Sequence, residues 1–191
     1  MICVSLTATT TEQALEQMAA AYAQADLVEL RLDYLTDPQL GRLLAARRGP
    51  IIVTNRPERE GGKYQGEESS RIATLKRAKE LGADYVDVEL DCAAQLAECP
   101  GPGKLIVSYH NFTETPSDLD AIHGQICATG ADIAKIAVMA RDITDNLRVF
   151  DLLKQTKLPT VALCMGELGL ISRLLAPKFG AFLTFASLDK G

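Results

Sequence analysis

Residues 104–139, KLIVSYHNFTETPSDLDAIHGQICATGADIAKIAVM, decide the fold. The first seven and the last seven residues of this stretch are mainly apolar runs, which are typical of buried strands. Between them, Thr115 is placed to cap a helix, Pro116 fits its first position and Gly130 fits its end. A strand, a helix and a second strand with short connections predict a parallel βαβ unit.

The same alternation of strand and helix continues to both ends of the chain. Amphipathic stretches separate the strands, and no Pro/Gly/Ser-rich linker divides residues 1–191. Eight βα units predict an α/β protein with one domain, a (β/α)8 TIM barrel. A doubly wound sheet is the alternative, but the first βα turn, SLTATTTE, lacks the glycines of a dinucleotide site, and the chain has no P-loop motif. The eight runs of strand character are ICVSL (2–6), LVELRLD (27–33), IIVTN (51–55), YVDVEL (85–90), KLIVSYH (104–110), IAKIAVM (133–139), TVALCM (160–165) and AFLTF (181–185).

The composition excludes several classes of function. The 191 residues are 47% hydrophobic and 24% charged, with a net charge of -5. This charge provides no basic field for nucleic acid or for an anionic membrane surface. The longest apolar runs, about six residues, are far shorter than a membrane span. Five cysteines without a C-x-x-C pair predict reduced thiols and no zinc site, so we expect a cytoplasmic protein.

Charged residues alternate with apolar ones in two of the predicted strands. Glu29, Arg31 and Asp33 share one face of LVELRLD, and Asp87 and Glu89 share one face of YVDVEL. A half-solvated edge strand gives the same pattern, but a closed barrel has no edge. Charged groups inside a small barrel must pair with each other or with a ligand.

Two strands carry the most reactive side chains. Lys135 stands amid apolar neighbours in IAKIAVM, where burial disfavours its charged form and favours a nucleophilic amine that condenses with ketones. A structural pair with an inner carboxylate such as Glu89 is the alternative. His110 ends the preceding strand, at the edge where barrel active sites lie, and is suited to proton transfer. His123 lies within a helical stretch and is expected to be structural.

The loop NRPEREGGKYQGE, residues 55–67, is predicted to be long and irregular, and its place after a strand favours a functional role. We expect Arg56 and Glu60 to reach a ligand over the barrel mouth. Arg173 stands between apolar residues in GLISRLL and is suited to binding a carboxylate with two hydrogen bonds. A solvent-facing position of Arg173 is the alternative.

The blocks ELRLD, TNRPEREGG, YVDVEL, SYHNF, AKIAVM, GLISRL and FGAFLTF, taken together, resemble type I 3-dehydroquinate dehydratase, a Schiff-base enzyme of the shikimate pathway. The resemblance extends from Met1 to Gly191 and also implies a (β/α)8 barrel. It implies that Lys135 forms an imine with 3-dehydroquinate, that His110 is the general acid and base, and that Glu60 positions His110.

The resemblance also implies the contacts of the substrate. Arg173 matches the partner of the substrate carboxylate, and no metal or organic cofactor is implied. A homodimer and a fused shikimate dehydrogenase domain are both compatible with the resemblance. The positions that match substrate-binding residues are Ser5, Glu29, Leu30 through its backbone, Arg31, Arg56, Met165, Arg173 and Phe185.

One part of the family pattern is missing after the last strand. The family continues there with a Ser/Gln lid loop and a final helix, whereas this sequence stops at SLDKG. We therefore expect either a piece cut from a longer or fused polypeptide or a shortened member, with an open mouth and weakened activity. Another imine-forming barrel, a class I aldolase, and an inactive barrel with a binding or docking role remain alternatives.

Overall fold

The computed structural model describes residues 1–188, and within them eight parallel strands form a barrel. The strands are β1 (Ile2–Leu6), β2 (Leu27–Arg31), β3 (Ile51–Thr54), β4 (Tyr85–Glu89), β5 (Lys104–Asn111), β6 (Ile133–Met139), β7 (Thr160–Met165) and β8 (Thr184–Ala186). From β1 to β7 each strand pairs with the next strand along the chain, and β8 pairs with β1, which gives the order β7-β6-β5-β4-β3-β2-β1-β8. This arrangement confirms the predicted (β/α)8 TIM barrel.

Helices follow the strands and cover the outside of the barrel. In the first helix, Ala14 and Met18 are buried one turn apart, and the Thr10 side chain caps its start by accepting from the Gln13 N–H. None of the helices within residues 1–188 is long and apolar enough to cross a membrane. The helices are α1 (Thr11–Ala21), α2 (Leu40–Ala45), α3 (Glu68–Glu80), α4 (Ala94–Ala97), α5 (Leu119–Ala128), α6 (Asp145–Gln155) and α7 (Leu170–Leu174).

The barrel interior is apolar towards the starts of the strands and polar further along. Successive side chains of a strand point to opposite faces, so residues two apart share the interior. In this way Leu27 is followed inside the barrel by Glu29, and Ile133 by Lys135. The apolar inner cluster consists of Cys3, Leu27, Ile52, Ile106, Ile133, Val161 and Leu183. This cluster is a packed floor beneath the polar residues.

The start of α5 was predicted wrongly. The helix begins at Leu119, not at Pro116, and the Thr115 hydroxyl does not cap it but donates to the Met139 carbonyl at 2.9 Å. Arg148 donates to the carbonyls of Thr115 and Pro116. Because Arg148 of α6 donates to these two carbonyls, they do not accept the first backbone hydrogen bonds of a helix.

The last strand is also shorter than predicted. Residues 181–185 were expected to form it, but pairing with β1 begins only at Thr184 and ends at Ala186. Before that point, Phe182 donates its N–H to the Thr160 carbonyl at 2.8 Å, which links the end of the chain to β7 and nearly closes the barrel. Residues 189–191 of SLDKG lie outside the described part of the chain, so the expectations about the lid stay predictions.

Candidate active site

A cavity of about 320 Å³ opens at the carboxyl ends of the strands. It contains every predicted site residue except Leu30, whose side chain is buried in the core between strands and helices. Only the backbone of Leu30 is thus available for the role that the resemblance implies. The cavity is lined by Ser5, Glu29, Arg31, Arg56, Glu60, Gly61, His110, Phe112, Lys135, Ala137, Leu163, Met165, Gly166, Arg173 and Phe185.

Lys135 rises from β6 into the base of this cavity. Its Nζ donates to Asp87 Oδ2 at 2.8 Å and lies 3.6 Å from Glu29 Oε1. The ring of Phe185 covers it, with Nζ 4.4 Å from the ring centroid. The residue is 7% exposed and lines the cavity, so the amine is both held and accessible. Its carboxylate contacts are Asp87 and Glu29, not Glu89.

The two carboxylates beside Lys135 are held in the ionised form. Burial alone would raise the pKa of Asp87, but the charges of Arg56 and Lys135 outweigh burial and lower it well below its usual range. For Glu29 the effect of burial is likewise outweighed, by Lys135 and Arg31, and the pKa is lowered. Two negative charges therefore face the amine at neutral pH.

Arg56 was expected to reach over the barrel mouth, but its side chain points into the barrel. The residue is 3% exposed, and its guanidinium donates to Asp87 at 2.7 Å, to Glu89 at 2.5 Å and to Ser108 at 2.8 Å. Buried carboxylates need such partners, because an unpaired buried charge is strongly destabilising. Arg56 still lines one wall of the cavity while it neutralises the acidic face of β4.

His110 and Glu60 form a hydrogen-bonded pair at the mouth. Glu60 Oε2 lies 2.8 Å from His110 Nδ1 and accepts the backbone N–H of His110 at 3.1 Å. Burial, together with the charges of Arg56 and Lys135, lowers the pKa of His110 well below its ordinary value, and burial raises the pKa of Glu60 to about 7. An ionised Glu60 accepts a hydrogen bond from Nδ1–H of His110, which leaves the lone pair on Nε2 free to abstract a proton.

The loop at residues 55–67 is more ordered than predicted. It contains a short 3-10 helix, Glu58–Glu60, and a bridge between Pro57 and Tyr64. Gly62 packs so closely that a Cβ atom there would lie 2.0 Å from the Arg56 carbonyl oxygen. Only glycine allows this approach, which brings the carboxylate of Glu60 to His110.

The two remaining arginines of the cavity differ in their partners. Arg31 donates twice to the buried carboxylate of Asp33, at 2.9 and 2.7 Å, so its guanidinium has a fixed orientation. In the described part of the chain, Arg173 Nε is buried without a hydrogen-bond partner. An unpaired buried donor at a cavity wall is suited to an anionic ligand.

Comparison with known proteins gives the family. The protein-family model described as Type I 3-dehydroquinase matches residues 2–191 of this chain. The chain belongs to the type I 3-dehydroquinase family. This confirms the resemblance, the prediction of an enzyme and its place in the shikimate pathway.

Two curated relatives and one solved structure show how this family member compares with others. Over 201 residues it is 43% identical to the chloroplastic bifunctional 3-dehydroquinate dehydratase/shikimate dehydrogenase of Arabidopsis thaliana, covering 99% of this chain and 33% of that protein. Over 201 residues it is 37% identical to the 3-dehydroquinate dehydratase of Desulfotalea psychrophila, covering 98% and 88%. The structure of 3-dehydroquinate dehydratase from Enterococcus faecalis matches with a TM-score of 0.86 at 32% identity, covering 97% of this chain and 87% of that one. The chain thus spans about a third of the bifunctional relative.

Sequence reasoning missed two residues of this type I 3-dehydroquinase site. Phe112 stacks on His110 with ring centroids 6.1 Å apart, and SYHNF gave its position but not its contact. Arg71 of α3 is completely buried and lies 2.6 Å from Glu89 Oε2. Its signal was a charged residue on the helical face of Leu75. His123, by contrast, forms hydrogen bonds with the hydroxyls of Thr156, at the end of α6, and Thr160, at the start of β7, and it does not line the cavity, as expected of a structural residue.

Proposed function

We propose that this enzyme dehydrates 3-dehydroquinate to 3-dehydroshikimate through an imine on Lys135. The observation that carries the proposal is the shared cavity of Lys135 and His110, with Glu60 on the far side of the imidazole. An amine that condenses with the ketone and a base for the neighbouring proton are the two groups that this reaction requires. The names of the relatives, which give the same activity, support it.

Substrate binding in this proposal relies on the charged walls of the cavity. The free Nε of Arg173 and the rest of its guanidinium bind the substrate carboxylate. Glu29 and Arg31 contact the hydroxyl groups, with the backbone of Leu30 beside them, and Arg56 lines the wall behind. Ser5, Met165 and Phe185 complete the lining. These contacts place the ketone carbon next to Lys135 Nζ.

Imine formation is balanced by the loss of one water molecule. The lone pair of Nζ forms the C–N bond with the C3 carbon, and the carbonyl π pair moves to oxygen. Counted from the ammonium form of Lys135, two protons leave with that oxygen as water and one stays on the nitrogen. The product is an iminium, which withdraws electrons from the adjacent carbon.

Elimination then uses His110 twice. Its Nε2 removes the C2 proton; the C–H pair forms the C2–C3 double bond, and the C–N π pair moves to nitrogen. The enamine returns this electron density, the C1–O bond breaks, and the hydroxyl leaves as water with the proton from His110. Water then hydrolyses the conjugated iminium and releases the product and Lys135. Glu60 keeps the imidazole oriented throughout.

Borohydride reduction in the presence of 3-dehydroquinate tests the proposal. We expect a covalent adduct on Lys135 by peptide mass analysis, together with the absorbance of a conjugated product in the absence of borohydride. The variant Lys135→Met is the matched control, because Asp87 keeps Arg56 and Ser108 as partners there. It should fold and form neither adduct nor product.

The same experiment distinguishes the alternatives. Carbon–carbon cleavage with an adduct on Lys135 would indicate a class I aldolase. Binding of 3-dehydroquinate without an adduct would indicate an inactive barrel with a binding role. Full turnover by Lys135→Met would show that the imine mechanism is wrong.

We also propose a cytoplasmic location, which the unpaired thiols of the five cysteines support. The bifunctional relative supports fusion to a shikimate dehydrogenase domain, and the stand-alone relative supports a separate enzyme. A homodimer is a further proposal, which no comparison tests. The intact mass of the natural protein distinguishes these two arrangements, and its sedimentation gives the oligomeric state.

A further inference from the structure

Asp87 makes the shortest polar contact of Lys135, although the proposed mechanism gives it no step. Its Oδ2 lies 2.8 Å from Nζ, while its Oδ1 accepts from Arg56 at 2.7 Å and from Ser108 at 2.7 Å. The residue is 1% exposed. Three donors therefore fix its position, and one of its oxygens points at the reacting nitrogen.

The iminium on Lys135 needs this contact more than the free lysine does. An ammonium has three N–H groups, whereas the iminium nitrogen keeps only one. Its positive charge is buried next to the guanidinium of Arg56, and both burial and a like charge favour loss of the proton. A deprotonated imine is a poor electron sink, so elimination requires that the proton stays.

We propose that Asp87 is a further catalytic residue, which accepts the single N–H of the iminium on Lys135 and keeps that nitrogen protonated during elimination. The inference rests on the proposed imine mechanism. Asp87 takes no proton itself: the N–H bond persists in iminium and enamine, and only the charge on nitrogen changes. The residue acts as a fixed counter-ion beside the nitrogen.

Glu29 is less suited to this role. Its nearest oxygen is 3.6 Å from Nζ, and its two oxygens already accept hydrogen bonds from Thr54 and Ser5. It contributes negative charge without a hydrogen bond to the nitrogen. Asp87 is therefore the carboxylate that the geometry assigns to the N–H.

Several other charged or titratable groups face Lys135 from the neighbouring strands. They are Cys3 on β1, Glu29 on β2, Arg56 after β3 and His110 on β5, while β7 and β8 present apolar side chains such as Leu163 and Phe185. Burial raises the pKa of Cys3 well above its ordinary value, so this thiol stays neutral. The loss of one negative charge at position 87 is thus not replaced by another group.

The test is the pH dependence of Asp87→Asn. The amide keeps the size and an acceptor oxygen but removes the charge, so the alkaline limit of kcat should fall by about one to three pH units relative to wild type. The yield of the borohydride adduct on Lys135 should fall over the same pH range. Asp151→Asn, which removes an exposed carboxylate paired with Lys154, is the matched control and should keep the wild-type limit.

Each outcome decides a different point. An unchanged alkaline limit in Asp87→Asn, with a normal adduct in wild type, would overturn the role of Asp87 alone. A larger shift in Glu29→Gln than in Asp87→Asn would assign the counter-ion to Glu29 instead. Absence of the adduct in wild type would overturn the imine mechanism.

The same experiment must show that the Asp87→Asn variant folds. Asp87→Asn leaves Arg56 with one carboxylate fewer, so thermal unfolding is measured for each variant. If Asp87→Asn does not fold, the comparison is made in the Arg56→Gln background, where the buried charge is balanced again. There too, adding Asp87→Asn should lower the alkaline limit, and no shift between the single and the double variant would refute the role.

Discussion

Replacement of Glu60 by Gln should make the enzyme both more stable and slower above neutral pH. The carboxyl of Glu60 has its pKa raised from 4.5 to about 7, chiefly by burial at the cavity mouth. A group with a raised pKa stabilises the fold fully below its unfolded value, and this stabilisation is lost as the pH rises through the folded value. The free energy of unfolding of the wild type should therefore fall between about pH 4.5 and about pH 7. In Glu60→Gln, which has no ionisable group at this position, this decrease should be absent.

The size of this difference in stability follows from the pKa shift of Glu60. A difference of this size corresponds to about 3 kcal/mol between the protonated and ionised forms. The Glu60 side chain is 19% exposed and lies at an open mouth, so solvent screening reduces the value to about 2 kcal/mol. For a chain of this length, that corresponds to a melting temperature about 4–8 °C higher than wild type above neutral pH.

Thermal unfolding followed by circular dichroism across this pH range measures the difference. Glu16→Gln, at an exposed position of α1, controls for the loss of one surface carboxylate. Above neutral pH, where the wild-type Glu60 is ionised, turnover should fall about 10- to 100-fold, because the neutral amide no longer stabilises a protonated His110. A Glu60→Gln protein whose melting temperature followed the wild-type pH dependence would refute the reasoning.

Four further substitutions give equally specific outcomes. His110→Ala should abolish product formation yet still give the borohydride adduct, and normal turnover would show that another group is the base. Arg173→Ala should raise KM about 10- to 100-fold with little loss of stability, because its Nε has no partner to lose in the described chain; unchanged KM would contradict the carboxylate contact. Gly62→Ala should displace the loop of Glu60 and reduce turnover at least about tenfold, whereas Gly124→Ala, with open space around its Cβ position in α5, should add about 0.5–1 kcal/mol of stability and leave turnover unchanged. Turnover and thermal unfolding of the two glycine variants test this contrast.

The strands were predictable because their side chains alternate between two chemically different layers. Glu29 and Arg31 share a face with the apolar floor residue Leu27, and the alternation, together with the absence of an edge in a closed barrel, placed them in the barrel interior. Lys135 was found as a charged residue in the middle of an otherwise apolar strand, and His110 as a titratable residue at the carboxyl end of the preceding strand. The period of a strand is a local property, so the sequence carries it directly.

Contacts between distant elements were not predictable from any local pattern. The direction of Arg56 depends on the carboxylates of β4, which lie more than thirty positions along the chain. The start of α5 depends on Arg148 from the next helix, which holds the carbonyls that a helix beginning at Pro116 would have used. Arg71 reaches Glu89 from α3 on the outside of the barrel. Each of these outcomes follows from tertiary packing overriding local propensity.

The distribution of charge inside the barrel explains why these distant contacts matter for the reaction. Replacing buried ion pairs with apolar side chains often leaves the stability of a protein unchanged or raises it. The ion pairs of Arg56 with Asp87 and Glu89 are therefore not explained by a gain in stability. Arg71 supplies the second cation for Glu89 from outside, which allows Arg56 to share its own hydrogen bonds with Asp87. Asp87 in turn keeps its second oxygen for Lys135. In the proposed mechanism, the buried network holds one negative charge next to the nitrogen of Lys135 that becomes an iminium, and the apolar floor supplies the stability that the network does not.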